Sequence, residues 1–353
     1  MTSAEIASWI ARRRAVSLST VSVERLTGGA INDVFRAHVG RDRMIVKHAP
    51  PYVAQAPTIA LSQRRMAIEA RCYRELAPEG VLGEVGTAEV RAPRYLDFDP
   101  SDHILVIEDC GPIPDLAELI TSTRLIDPAL GTLLGSFIGR LHGVSARTPT
   151  LLVELDNRDV QETRARTQYD QVGAWARSLG VADAARLSAP ASALGQRLLE
   201  PGRCLVMGDL WLRSVLVNGS NLRVIDWELA HAGSPAQDLG HLAAHLWMHA
   251  QRASTSGRRL AVEAVFDHFC AAYLSALHGC ALDSLMTAEI VRDATIHAGC
   301  EILARIAGPF RTGYLYEQLH PADSVVRDAI ELASAAIVGT ATLFPSWPRM
   351  LGG

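Results

Sequence analysis

Residues 206–228 read VMGDLWLRSVLVNGSNLRVIDWE, and this stretch decides how the chain is interpreted. Its carboxylates Asp209 and Asp226 follow short apolar runs and stand 17 residues apart. A β-hairpin across that gap would bring both side chains to one edge of a single cleft. Phosphoryl transfer needs such a pair, because one carboxylate accepts the proton of the acceptor hydroxyl and another binds magnesium. The stretch therefore predicts Asp209 as the catalytic carboxylate and Asp226 as a metal ligand.

The composition is that of an ordinary globular protein. The 353 residues predict two domains, or one large domain with two lobes. Hydrophobic residues make up 48% and charged residues 20%, which is enough apolar material for a core. The net charge of −4 excludes a general nucleic-acid binder. We therefore expect a small-molecule partner and no nucleic acid.

Nothing in the sequence predicts export or a membrane segment. The longest apolar candidate, residues 332–344, has 13 residues, whereas a membrane helix needs about 20. The N-terminal basic cluster follows the apolar residues, which is the reverse of a secretory signal. The six cysteines are scattered without a CxxC motif and are expected to be reduced thiols. These features indicate a cytoplasmic protein without membrane contact, a monomer or a homodimer.

The character of the chain changes after residue 108. Before it, alternating apolar residues predict an antiparallel sheet, with strands near residues 21–26, 34–39, 44–47, 94–98 and 104–108 and a helix over 62–76. Residues 109–114 read DCGPIP, a linker, and most of the chain beyond them has helical patterns, including a helix over residues 128–144 and one long helical stretch over 159–179. We predict an α+β fold with a small N-terminal lobe, residues 1–108, and a larger helical lobe, residues 109–353.

The motif GD-L-x-x-x-S-x-L, followed by V-I-D-x-E and then by Asp238-Leu-Gly, resembles the aminoglycoside phosphotransferase and choline kinase superfamily. Within that superfamily it is most similar to the methylthioribose-kinase-like branch. The resemblance implies a two-lobed protein-kinase-like fold. It also implies an enzyme that uses ATP and Mg²⁺ to phosphorylate a small molecule.

The N-terminal half carries the expected nucleotide-binding residues. The resemblance implies that Lys47 contacts the phosphates, that Glu69 orients this lysine, and that Gly28 and Gly29 belong to a loop covering the phosphates. It also implies a hinge at Glu108 that reads adenine through its backbone. Each residue has a simpler interpretation: a surface lysine, a solvated helix glutamate, or a plain turn, since GxGxxG spacing is absent.

The expected metal ligands are Asp226, Glu228 and Ser214. Glu228 is either a second metal contact or a solvent-facing residue. Ser214 stands where most of the superfamily places Asn, and a serine hydroxyl also coordinates magnesium in P-loop enzymes. Met207 replaces a histidine that normally braces the catalytic segment, and a thioether can only fill the space. These two departures predict slow or lost transfer as one possible outcome.

The acceptor is less specified by the sequence. Methylthioribose kinases present two arginines to their substrate, and the corresponding positions here are Ala304 and Arg305. We expect Arg305 to contact a sugar-like or alcohol acceptor, although a lone arginine on a helix is often a surface residue. Acidic and basic residues balance over residues 290–320, which does not favour a polycationic substrate.

Two other functions remain open at this point. The first is a nucleotide-binding pseudokinase that acts as a scaffold or regulator, and Met207 favours it. The second is a phosphotransferase that inactivates an aminoglycoside-type antibiotic.

Overall fold

The computed structural model describes residues 1–27, 29, 31–122 and 126–344. The helices are α1 Ser3–Arg14, α2 Arg65–Glu75, α3 Leu116–Ser122, α4 Ala129–Ala146, α5 Pro149–Glu154, α6 Arg158–Thr167, α7 Val172–Ser178, α8 Ala185–Arg197, α9 Pro235–Gln251, α10 Ser256–Gly279, α11 Ala288–Ala307 and α12 Ser324–Ile337. The strands are β1 Val21–Arg25, β2 Asp33–Val39, β3 Asp42–His48, β4 Tyr52–Val53, β5 Ala56–Ala60, β6 Val90–Arg91, β7 Tyr95–Asp99, β8 Ile104–Glu108, β9 Cys204–Val206, β10 Val215–Asn218, β11 Asn221–Val224 and β12 His231–Gly233. The predicted α+β arrangement is confirmed.

The N-terminal region is an antiparallel sheet in the order β1-β2-β3-β8-β7. Alternate side chains point to opposite faces of a strand. One face packs against α1, where Ile6 and Trp9 cover Phe35 and Val46 in a separate small core. Lys47 is next to Val46 in β3 and therefore points to the other face, toward the rest of the molecule.

The hairpin predicted between Asp209 and Asp226 is formed by β10 and β11, with Val215 opposite Val224. Strand β6 of the N-terminal half adds to it in parallel, so this small sheet joins both halves of the chain. Strand β9, which precedes Asp209, pairs instead with β12. Asp209 therefore precedes the hairpin in the sequence, and Asp226 follows it.

Helices α4 and α10 form the closest helix pair of the core. Four glycines of α4 face α10 at every fourth position: Gly131, Gly135, Gly139 and Gly143. A Cβ atom on Gly139 would lie 2.7 Å from the carbonyl oxygen of Tyr273. Among the described residues, α10 alone is long and apolar enough to cross a membrane by length and composition, and 44% of its most apolar window is buried in the molecule.

Two regions differ from the prediction. Residues 159–179, expected to be one long helical stretch, form α6, a 3₁₀ turn at Tyr169–Gln171 and α7. The β4–β5 hairpin was not predicted, because its two strands are short and carry no clear apolar alternation. Both regions contribute side chains to the candidate site.

Candidate active site

Lys47 is held by two carboxylates on the inner face of the sheet. Its Nζ lies 2.6 Å from Glu69 Oε1 on α2 and 2.9 Å from Asp226 Oδ1 after β11. Burial alone would lower the pKa of Lys47, but Asp226 and Glu69 together raise it well above its usual value. Burial also raises the pKa of Glu69. The lysine is therefore a fixed cation, and it is buried, not a surface residue.

A cavity of about 520 Å³ lies under the sheet beside this lysine, and we call it the sheet cavity. Gly29, Lys47, Glu108 and Asp226 are part of its wall, as are the linker residues 109–113. Asp226 has a positive φ of 66°, an unusual conformation for a residue other than glycine that is common at functional sites. Gly28 lies outside the described residues.

The Glu108 side chain lines the sheet cavity and also forms hydrogen bonds within the N-terminal region. Its carboxylate accepts hydrogen bonds from Arg91 at 2.8 and 3.0 Å and from the Arg94 amide at 2.9 Å. Its own amide donates to the Arg94 carbonyl. These contacts fix the start of the linker, whose residues 109–113 line the cavity.

Glu228 lies behind Asp226 and is buried, so the alternative of a solvent-facing residue is wrong. Its carboxylate accepts a hydrogen bond from Asn32 Nδ2 and lies 3.6 Å from the Nε of the fully buried Arg65. Burial raises the pKa of Glu228 to about 7. Asn32 and Arg65 both contact Oε2 of this carboxylate.

Ser214 is adjacent to Asp226 through the backbone, because its carbonyl accepts from the Ile225 amide at 2.9 Å. Its Oγ is buried, and among the described residues it has no hydrogen-bond partner. Asp226 is 37% exposed, so it can offer a carboxylate oxygen to a ligand. An unpaired hydroxyl beside a free carboxylate oxygen fits a hard cation such as Mg²⁺.

The described residues contain no group of three or more His, Cys, Asp and Glu side chains arranged to hold a metal ion. A Mg²⁺ site with one or two protein carboxylates is normal, because the ion takes its remaining ligands from phosphates and water. The residues present therefore fit an ion that arrives with a phosphorylated ligand.

Asp209 follows Gly208, whose φ is 79°. A side chain on Gly208 would overlap the carbonyl of Leu229, so only glycine allows this tight turn. Arg164 on α6 donates to Asp209 Oδ1 at 3.0 Å and also to the Gly208 carbonyl. A charged hydrogen bond from Arg164 therefore orients the Asp209 side chain. No sequence pattern indicated that α6 would contact this residue.

The segment around Asp209 is braced despite the methionine at position 207. Asp238 on α9 accepts from the amides of Met207 and Gly208 at 2.7 and 2.8 Å. His142 Nε2 lies 3.1 Å from Asp238, and its Nδ1 lies 2.9 Å from the Tyr273 hydroxyl. The brace expected from a histidine at 207 is therefore supplied by Asp238.

A second cavity, of about 100 Å³, opens at Asp209, and we call it the apolar chamber. Aromatic side chains form much of its wall, namely Trp175, Trp211 and Phe310. Trp211 also lines the sheet cavity, so the two cavities meet at this ring. The arrangement places Asp209 in one cavity and Lys47 with Asp226 in the other.

Arg305 lies in the wall of the chamber, but its guanidinium is occupied. Its Nε donates to Glu301 Oε1 at 2.6 Å, and its guanidinium carbon lies 5.0 Å from the ring centres of both Trp211 and Tyr314. Burial would raise the pKa of Glu301, but Arg305 and His245 hold it well below its usual value. In this structure Arg305 shapes the wall through these contacts.

The sequence prediction missed three residues of the site: Arg65, Arg164 and His142. Asn32 was expected at the end of the segment that resembles the phosphate-covering loop, but its contact with Glu228 was not expected. Arg65, Arg164 and His142 sit in ordinary helical patterns, where an arginine or histidine gives no signal of burial. The buried contacts of all four residues join residues 45 to 196 positions apart, which no local pattern reveals.

Comparison with known proteins confirms the resemblance. The model of the phosphotransferase enzyme family, APH, matches residues 22–280. The fold resembles that of choline kinase from Cryptosporidium parvum Iowa II, with a TM-score of 0.54 and 12% identity over 95% of this chain and 94% of that one. The predicted kinase-like fold is therefore confirmed.

Characterised relatives include small-molecule kinases. The 4-hydroxytryptamine kinases of Psilocybe cyanescens and Psilocybe cubensis are 24% and 26% identical over 254 residues, which cover 66% of this chain and 70% of each relative. Methylthioribose kinase of Exiguobacterium sibiricum is 26% identical over an alignment that covers 90% of this chain and 88% of that one.

Proposed function

Because the chain belongs to the APH phosphotransferase family, we propose that it uses ATP and Mg²⁺ to phosphorylate a hydroxyl group of a small molecule. One observation carries the proposal: the sheet cavity and the apolar chamber meet at Trp211, with Lys47 and Asp226 in one and Asp209 in the other. A phosphoryl donor in the sheet cavity and an acceptor in the apolar chamber would lie on either side of Trp211.

The sheet cavity is the proposed ATP site. Lys47, fixed by Glu69, supplies a positive charge for the phosphates. Gly29, and Gly28 before it, belong to the proposed phosphate-covering loop, and Glu108 begins the proposed hinge. Residues 1–108 then form a nucleotide-binding lobe and residues 109–353 a catalytic and acceptor-binding lobe. The extent of the sheet supports this division.

The proposed Mg²⁺ ligands are Asp226 and Ser214, with Glu228 as a further ligand. When bound, the ion neutralises negative charge on the transferring phosphoryl group. Asp226 also contacts Lys47, so it positions the lysine and the metal against the same phosphates.

Asp209 is the proposed catalytic residue, which orients the acceptor hydroxyl and accepts its proton. Arg164 keeps the carboxylate pointed at the junction of the two cavities. Arg305 was expected to bind the acceptor directly. We now propose that it acts through the wall it forms with Glu301 and the aromatic rings.

The contacts of the catalytic segment favour an enzyme over the pseudokinase alternative. The missing histidine at 207 was the main argument for a degraded site, and Asp238 supplies that brace. Lys47, Asp209 and Asp226 are also residue types that can carry out phosphoryl transfer.

The direct test is transfer of ³²P from ATP to a panel of hydroxyl compounds with Mg²⁺ present. We expect Asp209→Asn to retain nucleotide affinity and to lose turnover by about 10²-fold or more, the scale for removing such a base. Asp267→Asn, in α10 and away from both cavities, is the control. Unchanged turnover in Asp209→Asn would refute the assignment, and wild-type inactivity on the whole panel would refute the proposed function.

A further inference from the structure

The composition of the apolar chamber is unusual for a site that takes sugars or amino sugars. Its wall includes Val53 and Leu61 from the β4–β5 region and Trp175, Trp211 and Phe310 from the C-terminal region. Val53 and Leu61 also pack with Val160 and Leu229 in a small apolar cluster of their own. Thr163 and Thr167 also line the chamber, but their hydroxyls already donate to backbone carbonyls at 3.2 and 2.7 Å. A sugar would therefore find few free hydrogen-bond partners against such a surface.

The charged groups of the chamber are already paired with each other. The carboxylates in its described wall are Asp209 and Glu301, and each is bonded to an arginine, at 3.0 Å from Arg164 and 2.6 Å from Arg305. Glu301 also accepts from Gln168 at 2.7 Å. A polycationic acceptor would have to break these buried pairs, which is costly.

The chamber has room for a small ring between its aromatic side chains. Its volume of about 100 Å³ is several times the ~10–15 Å³ that one water needs. Ala304, at a position where an arginine would fill the space, leaves this part of the wall open and uncharged. Aromatic walls favour offset or edge-on contacts with another ring.

We propose that the apolar chamber binds an uncharged aryl alcohol, with the ring among Trp175, Trp211 and Phe310 and the hydroxyl at Asp209. This inference rests on the proposed function and names its acceptor class. The phenolic oxygen forms a bond to the γ-phosphorus of ATP. The bond from that phosphorus to the β–γ bridging oxygen breaks, and ADP leaves with the electron pair. The phenolic proton passes to the Asp209 carboxylate.

The acidity of a phenolic hydroxyl also favours an aryl alcohol as the acceptor. A phenol ionises near pH 10, as tyrosine does, so it gives its proton to a carboxylate more readily than an aliphatic alcohol does. The apolar walls also keep water away from the junction of the cavities, which limits hydrolysis of the donor.

The test compares two aryl alcohols, 4-hydroxyindole and 1-naphthol, with three polar compounds, 5-methylthioribose, choline and kanamycin. Binding is measured by calorimetry without nucleotide, and transfer is measured separately with ATP and Mg²⁺. Phe310→Ala is the informative variant, because Phe310 is half-buried in a loop and its removal leaves the helices intact. Phe98→Ala, a half-buried phenylalanine of β7 that lines neither cavity, is the matched control.

We expect both aryl alcohols to bind and to be phosphorylated, and Phe310→Ala to weaken their binding about ten-fold while Phe98→Ala does not. Transfer to a polar compound, with no aryl binding at millimolar concentration, would overturn the inference and leave the proposed function standing. Aryl binding that Phe310→Ala weakens, without transfer to any compound, would support the chamber as an aryl site and overturn the proposed function.

Discussion

Asp238 contributes to the site from outside both cavities. Its two carboxylate oxygens accept from consecutive amides, Met207 and Gly208, and so fix the backbone just before Asp209. His142 stands behind it. The position of the Asp209 carboxylate therefore depends on a side chain that touches neither cavity, which makes Asp238 a positioning residue.

We expect Asp238→Asn to lower kcat by about 10²-fold, because an amide can accept from only one of the two N–H groups through its oxygen and a shift near 1 Å carries such a cost. The KM for ATP should change little, which separates mispositioning from a collapsed fold. Met207→His should bring no gain, since the backbone is already braced. A several-fold rise in kcat for Met207→His would show that the Asp238 brace is insufficient.

The buried Glu228 makes stability depend on pH. Its folded pKa of about 7 lies above the value near 4.3 of an unfolded glutamate. Between these values the folded chain holds a proton that the unfolded chain does not, so this group makes the free energy of unfolding fall as pH rises. Glu228→Gln cannot titrate and keeps an acceptor oxygen for Asn32.

We therefore expect Glu228→Gln to gain stability relative to the wild type as pH rises from about 5 to about 8. Urea unfolding at the two pH values measures the difference, and the exposed Glu79→Gln serves as the control. A difference between Glu228→Gln and wild type that stays constant with pH would contradict the burial argument.

For single residues, the sequence predicted correctly those features that depend on neighbouring positions in the chain. The apolar neighbours of Lys47 predicted its strand, and its pairing with Glu69 is present at 2.6 Å. The bond from Asn32 to Glu228 spans 196 residues, and it depends on how β2 and the segment after β11 pack. A contact of that kind requires the tertiary fold.

Among the elements, the interface between α4 and α10 leaves the least space for a larger side chain. The glycines of α4 let the two backbones approach so closely that an added methyl group has no space. Close-packed interiors cannot absorb such a change without moving a helix.

We expect Gly139→Ala to lower the free energy of unfolding by about 1–3 kcal/mol, the usual cost of overpacking, although alanine favours a helix. Gly257→Ala is the matched control, because it lies in α10 with nothing within 4 Å of the added Cβ. It should be neutral or stabilising by up to ~1 kcal/mol. Equal effects of the two substitutions in urea unfolding would argue against a tight contact.

The elements themselves were predictable where the pattern was long or strictly alternating. Helix α4 was expected over residues 128–144 and spans Ala129–Ala146, and β8 was expected and found at Ile104–Glu108. The pairing of β6 with β11 was not predictable, because it rests on two residue pairs between strands more than 130 positions apart. Likewise, no sequence pattern indicated that the glycine face of α4 packs against α10.

For the whole molecule, the ion pair between Lys47 and Asp226 ties the sheet to the C-terminal region. A nucleotide in the sheet cavity would add contacts across the same junction. A ligand that binds only the folded state stabilises it by about 2.7 kcal/mol at one hundred times its Kd.

We expect AMP-PNP with Mg²⁺ to raise Tm by a few degrees, a rise that Asp226→Asn reduces toward the value seen without Mg²⁺. Asp97→Asn is the control, because Asp97 pairs with Arg13 at the far edge of the sheet. Differential scanning fluorimetry gives the readout. An Asp226→Asn shift equal to that of the wild type would place the metal elsewhere.

The β4–β5 hairpin stands outside the five-stranded sheet, yet it supplies Val53 and Ile59 to the chamber beside Asp209. Lys47 lies in β3, which pairs with β2 and β8 and not with this hairpin. Under the proposed function, the hairpin therefore contributes to the choice of acceptor without contacting the phosphate-binding lysine. We expect natural variation or laboratory recombination confined to residues 52–61 to change the range of accepted compounds while phosphate transfer is retained.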